Sequence, residues 1–261
     1  MHTVRAAIGA ALIVGILGAA SPAAASPAAA SPATESVTAD TTPPTVTPPR
    51  RGFPRSFIDA GGRILMYFPW TSMDAGSGVA DHDVALQTDG GAWTAIDTTF
   101  PTATHLARFM EPLHTYRLKV RATDKAANTS AWAYTDTFRV SRFNEHNAAN
   151  TYHGTWTTFR NPGYWDGGMA YSSEAGATVS ITFTGRAIAW VSQVGPSQGV
   201  AAVDVDGERL TTVDAYDPYR HPKAVVWSAS WTTVATRTIK ITVLGSQPTP
   251  WVYHDAFVTS G

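Results

Sequence analysis

The sequence predicts an all-β protein built from two tandem β-sandwich domains, and three observations carry that expectation. Short runs alternate apolar and polar residues at period two, separated by Asp-Gly and Gly-Gly turn signals. Charged residues make up only 15% of the chain, while Thr, Ser, Gly and aromatic residues are plentiful, as on exposed sheet faces and in tight turns. The chain has no cysteine, so each domain must be held by burial and hydrogen bonding alone, and thiolate and disulfide chemistry are excluded.

Residues 1–25 read as a secretory signal peptide. Arg5 precedes small or apolar residues from 6 to 20, and the small-residue run Ser21-Pro22-Ala23-Ala24-Ala25 offers a cleavage site after Ala25. The apolar run is shorter than the roughly 18 residues needed to cross a bilayer, and no later stretch approaches that length without a charge or turn residue. The expectation is a secreted, extracellular protein with no membrane span after cleavage, free or associated with a cell surface. Residues 26–49 contain no aromatic residue and are punctuated by Pro27, Pro32, Pro43, Pro44, Pro48 and Pro49. Such a segment buries too little to offset its ordering entropy, so it is expected to be a disordered Pro-rich spacer.

The first sandwich is expected over residues 50–140. Val84 and Leu86 alternate with polar neighbours before Asp89-Gly90-Gly91, and Ala92-Trp93-Thr94-Ala95-Ile96 reads as the return strand of a hairpin. The clearest strand runs from Tyr116 to Ala122, apolar on one face and basic on the other. Asp40-Thr41-Thr42-Pro43-Pro44, Ser77-Gly78-Val79, Asp89-Gly90-Gly91-Ala92-Trp93 and the stretch from Tyr116 through Asp124 to Ser130 resemble a bacterial fibronectin type III or immunoglobulin-like repeat. The resemblance implies a tyrosine corner at Tyr116, after Pro112, and a core tryptophan at Trp70. Such domains are mostly spacers and adhesive modules, so it implies a fold more than a function.

The second sandwich, a jelly roll of about eight strands, is expected over residues 142–261. Val179, Ile181 and Phe183 alternate; so do Ala201, Val203 and Val205 before Asp206-Gly207, and Ile239, Ile241 and Val243 before Gly245. Gly154-Thr155-Trp156, Asp166-Gly167-Gly168 with Tyr171-Ser172, Val203-Asp204-Val205-Asp206-Gly207, Thr212-Val213-Asp214 with Tyr216, and Asp255-Ala256-Phe257-Val258 resemble a galactose-binding-like sandwich of the carbohydrate-binding-module type. That resemblance implies ligand recognition, often of polysaccharide.

Several function classes are excluded or weakened. Positive and negative residues are nearly equal in each half, so neither half carries the basic field that nucleic acid requires. Gly195-Pro196-Ser197-Gln198-Gly199 has the form of a nucleophile elbow, with Asp214 or Asp217 and His221 or His254 following. A period-two run comes next rather than a helix, so a loop joining two strands is expected, and a small serine hydrolase ranks last. Asp204 and Asp206 lack the spacing of a calcium loop and are expected on a solvated strand face; a structural Ca²⁺ elsewhere, as some carbohydrate modules carry, is left open. The eight His residues show no helical zinc spacing, and no other cofactor is expected.

The aromatic residues are the most informative. Trp156, Trp165, Trp190, Trp227, Trp231 and Trp251 all fall in the second half. Trp190 and Trp227 sit in strand patterns and are expected in the core. Trp165, Tyr216 and Tyr219 sit in turn-rich loops, where rings with polar neighbours can stack on sugars. The expected ligand-binding set is therefore Trp165, Tyr216, Asp217, Tyr219, Arg220, His221 and His254, with Trp251, Tyr253 and Asp255 close enough in sequence to reach the same rim. These readings predict a protein that is not an enzyme and that binds a polysaccharide or cell-surface glycan. The alternative is an adhesive module binding a protein partner through the same aromatic residues.

Overall fold

The computed structural model describes residues 39–261. The expected signal peptide, residues 1–25, and the spacer as far as residue 38 lie outside them. The first half contains β1 (Thr45–Val46), β2 (Ile64–Pro69), β3 (Ser72–Met73), β4 (Val79–Thr88), β5 (Trp93–Ile96), β6 (His105–Met110), β7 (Thr115–Asp124), β8 (Ala133–Tyr134) and β9 (Phe138–Asn144). The second contains β10 (Asn150–His153), β11 (Thr157–Arg160), β12 (Gly168–Ser172), β13 (Thr178–Val194), β14 (Val200–Val205), β15 (Glu208–Asp214), β16 (His221–Val243), β17 (Val252–His254) and β18 (Ala256–Ser260). A single 3-10 turn, Trp165–Gly167, is the one helical element among the described residues, so the all-β expectation is met. No helix there is long and apolar enough to cross a membrane.

Local sequence explains the strands that were legible. β7 alternates half-buried and buried residues along its whole length, with Tyr116, Leu118, Val120 and Ala122 turned inward. The β4–β5 hairpin turns at Asp89 (φ 50°) and Gly90 (φ 70°), and the β14–β15 hairpin at Asp206 (φ 52°) and Gly207 (φ 91°). Two consecutive positive φ values match the twist of the flanking strands, which Asp-Gly supplies at little cost. The spacer expected to reach residue 49 ends earlier than that. Thr45–Val46 pairs with Ser72–Met73, and Pro44 and Pro49 are buried. The flanking prolines lack an N–H, which confines this pairing to a two-residue edge.

An eleven-stranded antiparallel sheet runs β15-β14-β16-β13-β18-β9-β7-β4-β5, with β10 also on β13 and β8 on β7. The β2–β6 pair packs over β4 and β7 in one core with Ile64, Met66, Phe68, Leu106 and Met110. The hydroxyl of Tyr116 accepts from Glu111 N (3.1 Å) and donates to Glu111 O (2.9 Å), tying β7 to the turn before it. A three-stranded sheet, β11-β12-β17, completes the second half.

β9 links the halves. It pairs with β7 through Phe138 and Arg139 and with β18 through residues 140–144, so the position that divides the two sequence halves lies inside one strand. Beyond it, residues 187–191 of β13 and all of β18 are buried on both faces. Ala187, Ala189, Val191, Ala256 and Val258 face the core that holds β2, β4 and β7, while Ile188, Trp190 and Phe257 face the core of β14 and β16. Trp190 and Trp227 are both in that second core, as expected. The wall between the cores therefore belongs to both.

A shared wall couples the two layers in unfolding. Trp190→Ala is expected to cost about 3–5 kcal/mol, the usual range for a fully buried Trp. Both the near-ultraviolet and far-ultraviolet circular dichroism signals are expected to melt in one transition at a lowered temperature. Two separated transitions would show that the wall does not couple the cores.

Candidate functional site

The loop at residues 195–199, which joins β13 to β14, forms one rim with two neighbouring loops. Gly195 N donates to Ala215 O (3.2 Å), Asp217 N to Gly195 O (3.1 Å) and Gly199 N to Trp251 O (2.8 Å). No helix follows Gly199, so the Gly195-to-Gly199 motif is a strand-to-strand loop and not a nucleophile elbow. Beside this rim Tyr171 of β12 lies edge-on to Trp251 (5.4 Å between ring centroids) and against Tyr253 of β17 (5.5 Å). Trp251 is 36% exposed, Tyr216 56% and Tyr219 72%.

Polar groups lie beneath these rings. Tyr164 OH donates to Oε1 of the buried Gln193 (2.7 Å). Gln193 Nε2 and both amide atoms of the buried Gln198 have no hydrogen-bond partner. Burial pushes the phenols of Tyr164 and Tyr253 above their ordinary range, and the nearby Arg220 guanidinium pulls both back in part. Both hydroxyls stay protonated at neutral pH; the single proton of Tyr164 is committed to Gln193, while that of Tyr253 is free to donate.

The expected ligand set is only partly brought together. Arg220 is exposed, lies near Tyr164 and Tyr253, and makes no ion pair among the described residues. Asp217 Oδ1 caps Tyr219 N (2.8 Å) and lies 4.0 Å from His221 Nε2, so Asp217 shapes its own loop. The exposed His221 turns toward Phe57 (5.5 Å). Two expectations need correction. Trp165 is only 3% exposed, because residues 161–167 fold back through Tyr164 N to Asn161 O (3.1 Å) and Gly167 N to Tyr164 O (3.1 Å), which turns the indole into the core under Arg142. It is not a stacking platform. His254 is fully buried against Phe257 (4.5 Å), and burial pushes its pKa down to about 3, so its imidazole is neutral and out of a ligand's reach. The sequence reading passed over Tyr164, Gln193 and Gln198; a glutamine in the buried stretch Val191-Ser192-Gln193 was the available signal.

Acidic residues behave differently from expectation as well. Asp204 is buried between Arg209 and Lys240 (3.2 Å) rather than on a solvated face, and two cations leave it no role in holding calcium. Asp40, Asp74 and Asp124 have carboxylate oxygens within 4.8 Å of one another, and they cap the backbone N–H groups of Thr42, Ser77, Gly78, Ala126 and Asn128. Glu145 and Asp255 are both buried. Asp255 Oδ2 accepts from Trp165 N (3.2 Å), while Asp255 Oδ1 and Glu145 Oε2 have no partner. Burial pushes the Asp255 pKa up to about 8, with the Glu145 charge adding to it, and raises Glu145 as well. Both carboxyls are desolvated, and among the described residues no third carboxylate or histidine joins them in a cluster with metal-ligand spacing.

Protonation gives a distinct stability profile. His254 resists charging, so with falling pH it loses stability between its unfolded value of 6.5 and about 3. Asp255 holds its proton in the fold from an unfolded 3.8 up to about 8, so it loses stability as pH rises across that window. The two slopes oppose each other below about pH 6.5, and Asp255 acts unopposed from there to about 8. In the presence of a chelator, denaturant unfolding is expected to show stability falling by up to about 1.4 kcal/mol per pH unit in that upper window. Asp255→Asn should flatten the slope; an unchanged slope would mean that Asp255 is ionised in the fold.

No protein-family model matches the chain. It is 35% identical over 74 residues to the A type blood N-acetyl-alpha-D-galactosamine deacetylase of Flavonifractor plautii, covering 28% of this chain and 10% of that protein. It is 39% identical over 64 residues to the A type blood alpha-D-galactosamine galactosaminidase of the same organism, covering 24% and 6%. The chain thus spans a tenth or less of the length of these curated relatives. Among solved structures, the CBM36-1 domain of a multidomain xylanase from the hindgut metagenome of Trinervitermes trinervoides has 14% identity and a TM-score of 0.31 over 47% of this chain and 97% of that one. A Paenibacillus xanthan lyase has 16% identity and a TM-score of 0.37 over 82% and 24%. Both sequence relatives are enzymes, which overturns the expectation of a protein that is not an enzyme.

Proposed function

We propose that this protein recognises a glycan through the rim of Tyr171, Trp251 and Tyr253, with Arg220 beside it, as part of a carbohydrate-modifying system. The observation that carries the proposal is the aromatic cluster of Tyr171, Trp251 and Tyr253, 5.4 and 5.5 Å ring to ring, with the exposed and unpaired Arg220 near Tyr253. Flat rings stack on the C–H faces of a sugar, and the free Arg220 guanidinium supplies donors that hydroxyl groups match. The relatives are named for α-D-galactosamine and its N-acetyl form, so a galactosamine-type residue is the ligand class proposed. The stacking role expected of Trp165 passes to Trp251.

The wider organisation belongs to the same proposal. The β2–β6 pair over β5-β4-β7-β9 and the Tyr116 tether support an immunoglobulin-like arrangement for residues 50–140. The second-half topology supports a galactose-binding-like sandwich, and the signal-peptide pattern supports secretion to where such glycans occur.

Binding of the full chain to immobilised glycans ending in N-acetylgalactosamine, galactosamine or glucose tests this. The galactosamine-type termini are expected to retain it, with affinity falling at least about tenfold, roughly 1.4 kcal/mol, in Trp251→Ala. Acetate and free sugar measured in the same incubations report turnover. Equal retention of wild type and Trp251→Ala, or none on any glycan, would overturn the proposal.

A further inference from the structure

A second site lies away from this rim, at the junction of the two halves. A cavity of about 390 Å³ is lined by Arg50, Arg51, Tyr134, Asp136, Arg186 and Trp231, among others. Its size falls at the lower end of small-ligand sites, about 300–1,000 Å³. Arg186 sits where β13 slips register against β16 between Gly185 and Ala187, and such an irregularity re-aims a side chain.

The charges in this cavity do not balance. Three guanidinium groups line it with one carboxylate, and Asp136 pairs with only two of them, Arg51 and, at 3.0 Å, Arg186. The Arg51 side chain is 2% exposed; its Nε donates to Ser260 Oγ (2.6 Å), its Nη1 to Asp136, and its Nη2 has no acceptor. Arg186 spends Nε on Asp136 and Nη1 on Thr232 O. Arg50 is exposed, and its side chain has no hydrogen bond or ion pair among the described residues. Two further guanidinium groups add positive charge behind the aromatic walls, Arg237 over Trp231 (4.2 Å) and Arg117 over Tyr134 (4.5 Å). A structural Arg–Asp–Arg bridge accounts for Asp136 but leaves Arg50 and the unused guanidinium donors unexplained.

We propose that this cavity binds the anionic group of an acidic sugar residue, held by the guanidinium groups of Arg50 and Arg186 with Trp231 and Tyr134 as its walls. Guanidinium forks match carboxylate and sulfate oxygens two at a time, and aromatic walls suit a ring-sized ligand. The site uses none of the rim residues and stands independently of the function proposed for them.

Calorimetric titration of the full chain with oligogalacturonate, a sulfated galactan oligosaccharide and a neutral galactan oligosaccharide tests the assignment. At least one acidic ligand is expected to bind at least tenfold tighter than the neutral one, and the tighter of the two acidic ligands identifies the anion. Arg50→Gln should weaken acidic binding about tenfold with an unchanged melting temperature, because Arg50 supports no other group; Arg186→Gln should do the same where it folds. Trp251→Ala should leave this binding intact, which separates the cavity from the rim. Equal affinity for the neutral ligand, binding of neither acidic ligand, or wild-type affinity in Arg50→Gln would overturn the proposal.

Discussion

The structure depends on a strip of sheet that has no wet face. Residues 187–191 of β13 and the paired β18 separate two hydrophobic cores, so every side chain along the strip is buried. Small residues on one side (Ala187, Ala189, Ala256) let the first core approach closely, while Trp190 and Phe257 fill the second. A strand buried on both faces cannot alternate apolar with polar residues, which is why this one reads as a continuous apolar run. Its backbone groups are satisfied by β16, β18 and β9, so the price of a dry wall is met within the sheet itself.

The wall also fixes the rim in space. Asp255 N donates to Val191 O (3.1 Å), and its carboxyl accepts from Trp165 N, which anchors the loop at residues 161–167. That anchor places Tyr164 so that its hydroxyl reaches Gln193, one residue before the end of β13. Gln198 and Trp251 are then brought side by side by main-chain pairing. The candidate site is therefore positioned by strands and backbone hydrogen bonds, with only Tyr216, Tyr219 and Arg220 on an outward loop. Precise placement of this kind is what recognition by stacking and directional hydrogen bonds demands.

How much of this was legible follows from which physical rule governs each residue. Period-two strands such as β7 and the two Asp-Gly hairpins were readable, because side-chain alternation and positive φ are local requirements. The outward-facing rings of Tyr216 and Tyr219 were also readable from loop composition. The direction of Trp165 was not, since a two-bond backbone fold-back decides it and no local residue type encodes that. Nor was the joining of the halves, although the signal lay in Ala187-Ile188-Ala189-Trp190-Val191: an uninterrupted apolar run marks burial on two sides, and so a second core behind the first. Asp204 misled for the converse reason, as one of its cations, Lys240, comes from β16, distant in sequence, while the other, Arg209, reaches it across the β14–β15 hairpin.

His254 and Asp255 show how the wall dictates protonation. They are neighbours in sequence, and the alternation of side chains sends them to opposite sides: His254 against Phe257 and Tyr152 on the side of the second core, Asp255 against Trp165 in the first. Each meets an apolar surface with too few polar partners, and burial disfavours whichever form is charged. The imidazole is therefore held neutral by a lowered pKa and the carboxyl by a raised one. Opposite shifts at adjacent residues, each caused first by desolvation, are the electrostatic consequence of a sheet that is dry on both faces.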